Sequence, residues 1–194
     1  MDIFLARHGE TEWSKSGRHT GLTDLPLLPE GEERARSLQP RLAGERFDAV
    51  LSSPLQRARR TAVLAGFADP TPEPLLVEWN YGDYEGITSR EIHSQRPDWD
   101  LWRDGCPGGE SPEDVRGRAT RLLQSLEARG TASVIVFSHG HFLRMLCIVF
   151  LELPLESGAR LNLDTAALSV LRKSDRGHLL QLWNDTGHLP GSSA

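Results

Sequence analysis

The sequence predicts an α/β fold: a three-layer sandwich with a central, mostly parallel sheet, helices on both faces and an antiparallel C-terminal edge. Short apolar runs alternate with amphipathic stretches as far as Leu151, the pattern that buries a parallel sheet between helices. Two later runs, Ala167–Leu171 and Leu179–Trp183, flank the polar turn Ser174–Gly177 in the manner of an antiparallel hairpin. With 194 residues, 38% hydrophobic and 25% charged, the chain suits a single domain over residues 1–194 with a substantial core.

The first strand is Ile3-Phe4-Leu5-Ala6, a short apolar run of strand length. Pro29 to Glu45 follows as a polar-rich helix with Ala35, Leu38 and Leu42 on one face. Asp48–Leu51 is the second strand, and Pro54 opens a helix through Ala65, because proline is tolerated in a first turn. Leu75-Leu76-Val77 is a brief strand-like run. Residues 79–111 interrupt the alternation: glycines and prolines punctuate them, and they hold Tyr81, Tyr84, Trp79, Trp99 and Trp102. This segment reads as a lid or side wall over a site. The amphipathic stretch Pro112–Arg129 then leads to Ser133–Phe137, the strongest strand signal, and to the apolar helix His141–Leu151. Residues 190–194 read as a frayed tail.

Composition excludes several function classes. A net charge of −5 opposes general nucleic-acid binding, which needs a basic excess or stripe. The longest apolar run, Met145–Leu151, is far short of the roughly 20 residues that span a bilayer. The N-terminus has no basic region leading into a long hydrophobic one. Cys106 and Cys147 are too few for a disulfide framework and lie in no redox or zinc pattern. The expectation is a cytoplasmic protein that binds neither nucleic acid nor membrane. Lysine occurs only at Lys15 and Lys173, so any anion site must be built from arginine and histidine.

Four apolar runs end in charged or imidazole side chains, or in loops leading to them. The first ends in Arg7-His8-Gly9, the second in Ser52-Ser53 and then Arg57, the third in Glu78, the last in Ser138-His139-Gly140. Open α/β sheets bind ligands beyond the carboxyl ends of their parallel strands, so these groups should meet. Two arginines, two histidines and a carboxylate suit phosphoryl transfer, whose loose transition state needs positive charge around the equatorial oxygens. Arg7 and Arg57 supply forked donors, His139 another if protonated, while Gly9, Gly21 and Gly140 allow backbone N–H groups close to phosphate. His8 is the natural nucleophile, and Glu78 the acid and base of the cycle. No metal or other cofactor is required, since the histidines lack metal-ligand spacing.

RHGETEW, SSPLQRARRTA, EWNYGDYEG and SHG, in this order over the chain to about Gly187, resemble the histidine phosphatase superfamily, which includes cofactor-dependent phosphoglycerate mutases. The resemblance implies that His8 is phosphorylated, that Arg7, Arg57 and His139 form the phosphate pocket, and that Glu78 donates the proton. It further implies substrate or phosphate contacts at Thr20, Gly21 and Tyr81. TEWSKSGRHTGLTDLPL, WNYGDYEG and SHGH are similar to a branch of bacterial acid phosphatases and sedoheptulose-bisphosphatase-like enzymes. Ser14 stands where many members have a phosphate-bonding asparagine, so its hydroxyl replaces that contact or the contact is lost. His141 stands where glycine is common, and either reaches substrate or merely begins a helix.

The implied function is hydrolysis of small phosphomonoesters through phosphohistidine, best at mildly acid pH because Glu78 must start protonated and His139 cationic, and a homodimer is common in families of this kind. A phosphoglycerate mutase is the first rival. Mutases of the family carry a longer, lysine- and arginine-rich insertion between the YG and GES segments, whereas no lysine lies between Gly86 and Gly109 here. A phospho-ligand binding module without turnover is the second. Glu85 is a nearby acid whose place beside Gly86 looks structural; Arg90, Arg96 and Arg103 read as a solvated face, and the three tryptophans as core. His19 is divided evenly between site and solvent.

Overall fold

The computed structural model describes residues 1–191; of the expected tail, residues 192–194 lie outside the described residues. A six-stranded sheet organises the chain, in the order β3-β2-β4-β1-β5-β6. Strands β1 (Asp2–Arg7), β2 (Ala49–Ser52), β3 (Thr71–Pro72) and β4 (Ser133–Ser138) are parallel, and β5 (Leu168–Ser174) and β6 (Gly177–Asp185) run antiparallel on the β1 side. Both central strands, β1 and β4, are flanked on each side, so their apolar residues are buried on both faces.

Period-two alternation divides the core. Ile3, Leu5, Val134 and Val136 face helices α6 (Pro112–Ala128) and α7 (Gly140–Phe150), joining Val115, Leu122, Phe142 and Leu146. Phe4, Ala6, Ile135 and Phe137 face the other way, onto Leu38 of helix α2 (Pro29–Arg41) and Ala62 of α3 (Gln56–Leu64). Sheet and helices thus form the expected three layers. Burying one such aliphatic or aromatic side chain contributes about 1.5–3 kcal/mol.

Two helices differ from the sequence expectation at their ends for identifiable reasons. α2 stops at Arg41, not Glu45: Pro40 occupies its last turn, and Gly44 at φ 95° reverses the chain. α3 starts at Gln56, not Pro54, because Asp24, distant in sequence, accepts the Gln56 N–H at 2.8 Å. The expected third strand is also displaced. Leu75-Leu76-Val77 is not a strand; Pro74–Leu76 is a single 3₁₀ turn, started by proline and capped by the Glu73 carboxylate on Leu75 N–H at 3.1 Å. The pairing strand is Thr71–Pro72, at the sheet edge where proline is tolerated.

A short helix α1 (Glu12–Ser16) follows β1, and segment 79–111 holds a 3₁₀ turn at Gly82–Tyr84 and two more short helices, α4 (Ser89–Gln95) and α5 (Leu101–Asp104). Trp79, Trp99 and Trp102 are buried in the α6/α7 core, with Trp79 and Trp102 edge to face at 5.6 Å between ring centroids. These tryptophans anchor a wall beside the sheet's carboxyl end. No helix among the described residues is long and apolar enough to cross a membrane.

Candidate active site

A cavity of about 240 Å³ opens at the carboxyl end of β1 and β4. Its lining includes Arg7, His8, Ser14, Thr20, Glu78, Tyr81, Gly140 and His141, together with His19. Arg57 and His139, with no exposed surface, stand behind that lining, and Gly21 is turned away from it.

His8 leaves β1 where its N–H bonds the Ser138 carbonyl of β4, which fixes the turn beside the last strand. The turn is pressed onto α2 with almost no space: a Cβ on Gly9 would lie 2.3 Å from the Gly31 carbonyl oxygen. Gly9 therefore serves this backbone approach, and its N–H goes to Thr61 Oγ1 at 3.0 Å, not toward a phosphate. His8 Nδ1–H donates to the Gly9 carbonyl at 2.7 Å, leaving Nε2 as the unprotonated nitrogen. Burial, then the Arg57 and Arg7 charges, holds the His8 pKa well below its usual value, so the imidazole is neutral at physiological pH.

Arg7 donates from Nη1 to the Leu163 carbonyl, while its buried Nε has no hydrogen-bond partner among the described residues. A buried, unpartnered guanidinium N–H at a cavity is a ready donor for an anion. Gly140, the first residue of α7, makes room for it: a Cβ there would sit 3.3 Å from Arg7 Nε.

Arg57 spends its fork differently from the expectation of a free phosphate clamp. Its Nη1 and Nη2 donate to the carbonyls of Thr23, Thr20 and Gly21, and its Nε to His139 Nδ1 at 3.1 Å. His139 Nε2–H faces Ser53 Oγ at 2.8 Å. His139 is therefore neutral, its pKa held well below the usual value by burial and by Arg57, which corrects the expectation of a cationic donor. The His8 and His139 ring centroids lie 5.2 Å apart.

Two further expectations change. Ser14 completes a capping box with Thr11: its hydroxyl accepts the Thr11 N–H at 2.8 Å and donates to the Thr11 carbonyl at 3.0 Å, so its proton is spent on the cap although the residue lines the cavity. Gly21 offers no N–H to a phosphate, because Glu85 takes it at 2.9 Å, and Thr23 N–H as well. Glu85 is structural in that sense.

Glu78 follows the 3₁₀ turn, not a strand. Its carboxylate accepts the N–H groups of Trp79 at 2.9 Å, His141 at 3.1 Å and Phe142 at 2.8 Å, capping the start of α7 from outside the helix. Beside it, Tyr81 is kept as the neutral phenol by burial and by Glu78, and its hydroxyl shares a hydrogen bond of 2.6 Å with His141 Nδ1. His141 lines the cavity besides beginning the helix. His19 packs with its ring tilted 54° to that of Tyr81, centroids 4.7 Å apart, with Nδ1 on the Ile87 carbonyl, and it lines the cavity, so it belongs to the site and not to a solvent-facing loop. The sequence reading did not single out Arg18, Ser89, Arg144, Asn162 and Leu163, which also line the cavity. Arg144 carried a readable signal as the only charge within the apolar run of α7; Leu163 acts through its backbone, which composition does not reveal.

A buried neutral imidazole with one free nitrogen, an unpartnered guanidinium N–H and a carboxylate at a helix start can together transfer a phosphoryl group. Residues 3–186 match the family model of the histidine phosphatase superfamily, branch 1. The chain belongs to that superfamily. This histidine phosphatase is 40% identical over 190 residues to an acid phosphatase of Mycobacterium tuberculosis, covering 96% of this chain and 93% of that one. It is 36% identical to a sedoheptulose 1,7-bisphosphatase of Saccharomyces cerevisiae, over 78% of this chain and 68% of the relative. The solved structure of open reading frame Rv3214 from Mycobacterium tuberculosis superimposes with a TM-score of 0.90 at 38% identity, covering 96% of this phosphatase and 98% of that chain.

Proposed function

We propose that this phosphatase hydrolyses small phosphomonoesters, of the sugar-phosphate class or related metabolites, through a phosphohistidine at His8. The observation that carries the reading is the state of His8: burial and neighbouring arginines keep it neutral, and the bond to the Gly9 carbonyl leaves Nε2 as the nucleophile. His8 Nε2 attacks phosphorus in line, and the bond to the ester oxygen breaks as Glu78, entering the cycle as the carboxylic acid with a proton taken from solvent, gives that oxygen its proton. The Nδ1–H bond to Gly9 stabilises the positive charge that grows on the ring, and Arg7 Nε the charge on the transferring oxygens. Glu78, now carboxylate, takes a proton from water as the water attacks phosphorus, and cleavage of the P–Nε2 bond restores neutral His8 and releases phosphate.

Arg57 and His139 support the pocket from behind, Arg57 by fixing the Thr20–Thr23 loop. A cavity of about 240 Å³ with His19, Ser89, His141 and Asn162 on its walls suits a compact, hydroxyl-bearing substrate. The names of the acid phosphatase and sedoheptulose 1,7-bisphosphatase relatives point the same way. Hydrolysis is favoured over mutase transfer because the wall brings no lysine, and Arg96 and Arg103 bond Tyr84 and Asp104 instead of lining the cavity.

Phosphate release from a metabolite panel, with His8→Ala as the blank, tests the reading. The wild type should show one added phosphoryl group by intact mass after rapid quench, and His8→Ala neither that mass nor turnover. Full activity in His8→Ala would refute the mechanism, and exchange of 2- and 3-phosphoglycerate faster than phosphate release would overturn hydrolysis.

A further inference from the structure

We infer that the buried Arg118 guanidinium and the half-buried Glu110 carboxylate, an ion pair outside the cavity lining, hold Glu78 against the leaving group and thereby set the efficiency of its proton transfer. This rests on the acid and base role proposed above for Glu78. Strand β3 ends at Pro72, so the chain carrying Glu78 has no sheet ladder to fix it, and its carbonyls need other donors. Arg118, on α6, supplies them. Its Nη1 donates to the Leu75 carbonyl at 2.9 Å and the Val77 carbonyl at 3.0 Å, and Nη2 to the carbonyl of Glu78 itself at 3.2 Å. The remaining donors grip the Glu110 carboxylate, Nε at 2.7 Å and Nη2 at 2.9 Å. All five N–H groups of the guanidinium are then used.

Glu110 fixes the other side of the same residue. Its carboxylate accepts the Asn80 N–H at 2.8 Å, its N–H donates to the Asn80 carbonyl at 2.9 Å, and its carbonyl accepts from Trp79 Nε1 at 2.9 Å. The Arg118 guanidinium also lies 4.7 Å over the ring of Phe142, whose N–H binds the Glu78 carboxylate. Backbone before Glu78, backbone after it, and the helix start that holds its carboxylate therefore converge on one side chain. A buried ion pair is a weak device for stability, since well-packed apolar residues often serve as well. What the guanidinium adds is directed positioning of one segment, and a proton donor is sensitive to displacements below 1 Å. Arg118 and Glu110 are positioning residues; neither lines the cavity.

The readout is kcat/KM over phosphate esters graded from p-nitrophenyl phosphate to alkyl phosphates, because a poor leaving group needs the proton and a good one does not. Glu78→Gln is the reference and should lose about 10²–10⁴-fold on alkyl esters with little loss on p-nitrophenyl phosphate. Arg118→Lys keeps the charge but lacks the fork. It should lose about tenfold or more on alkyl esters and less than about threefold on p-nitrophenyl phosphate, with the Glu110→Gln variant moving the same way. Circular dichroism establishes folding, and either variant carries the test if the other fails to fold. Equal losses on all esters, or none, in folded variants while Glu78→Gln is selective would overturn the positioning role alone. A Glu78→Gln variant with no leaving-group selectivity would instead overturn the proton-donor reading on which it stands.

Discussion

Acidification from about pH 7.5 to about pH 5.5 should destabilise the unliganded protein by about 3 kcal/mol through His8 and His139 alone. Both are buried and both have folded-state pKa values well below 6.5, so the unfolded chain binds protons in this window that the folded chain does not. Unfolding free energy therefore falls as pH falls below 6.5, and levels off only near the folded pKa values. One pH unit below 6.5, each histidine kept neutral costs about 1.4 kcal/mol, and two cost about 3. His141, His19 and His188, whose pKa values burial also lowers, add to the loss in the same direction. Carboxylates held low, such as Asp104 at about 2 beside Arg103, act in a lower window and leave this one to the histidines. The effect is a large part of a total stability of about 5–15 kcal/mol. Urea unfolding followed by tryptophan fluorescence at the two pH values measures it, and in His139→Gln the pH dependence should shrink by about 1.4 kcal/mol. Equal stability at both pH values, or greater stability at the acid one, would refute the neutral assignment of the two histidines.

Gly140→Ala places a methyl group 3.3 Å from Arg7 Nε and 3.4 Å from its Cζ. Displacing that donor should weaken competitive inhibition by inorganic phosphate by about 3- to 10-fold while the melting temperature stays nearly unchanged. Ser14→Ala removes half of the capping box with Thr11 and should cost about 1 kcal/mol of stability, read as a lower urea midpoint. Phosphate inhibition should change less than about twofold in the same variant, since the hydroxyl serves the cap; a larger change would restore Ser14 as a phosphate ligand.

Local patterns revealed the architecture where local physics decides it. The apolar runs Ile3-Phe4-Leu5-Ala6 and Ser133–Phe137 marked the two central strands, and the Ser174–Gly177 turn marked the hairpin. Thr71–Pro72 was not legible, because a two-residue edge strand has neither apolar run nor period and exists only through β2. The start of α3 was hidden for a similar reason: its cap comes from Asp24. At the site, the ends of β1 and β4 and the first turn of α3 brought His8, His139 and Arg57 together as the sheet rule requires. How those groups spend their donors was hidden, since Arg57 is tied to backbone carbonyls and Gly9 to the spacing from Gly31. The local role of Ser14 was legible. Thr11 and Ser14 have the spacing of a capping box, and that local demand takes the hydroxyl.

The Glu78 carboxylate occupies the N–H groups of His141 and Phe142 at the head of α7. A side chain with that duty cannot be discarded by a descendant that no longer needs turnover without leaving buried amides unsatisfied, at about 1–3 kcal/mol for each. Drift toward a silent relative is thus opposed by folding itself at this position, and the conserved appearance of an acid there would be a poor guide to whether such a relative still turns over.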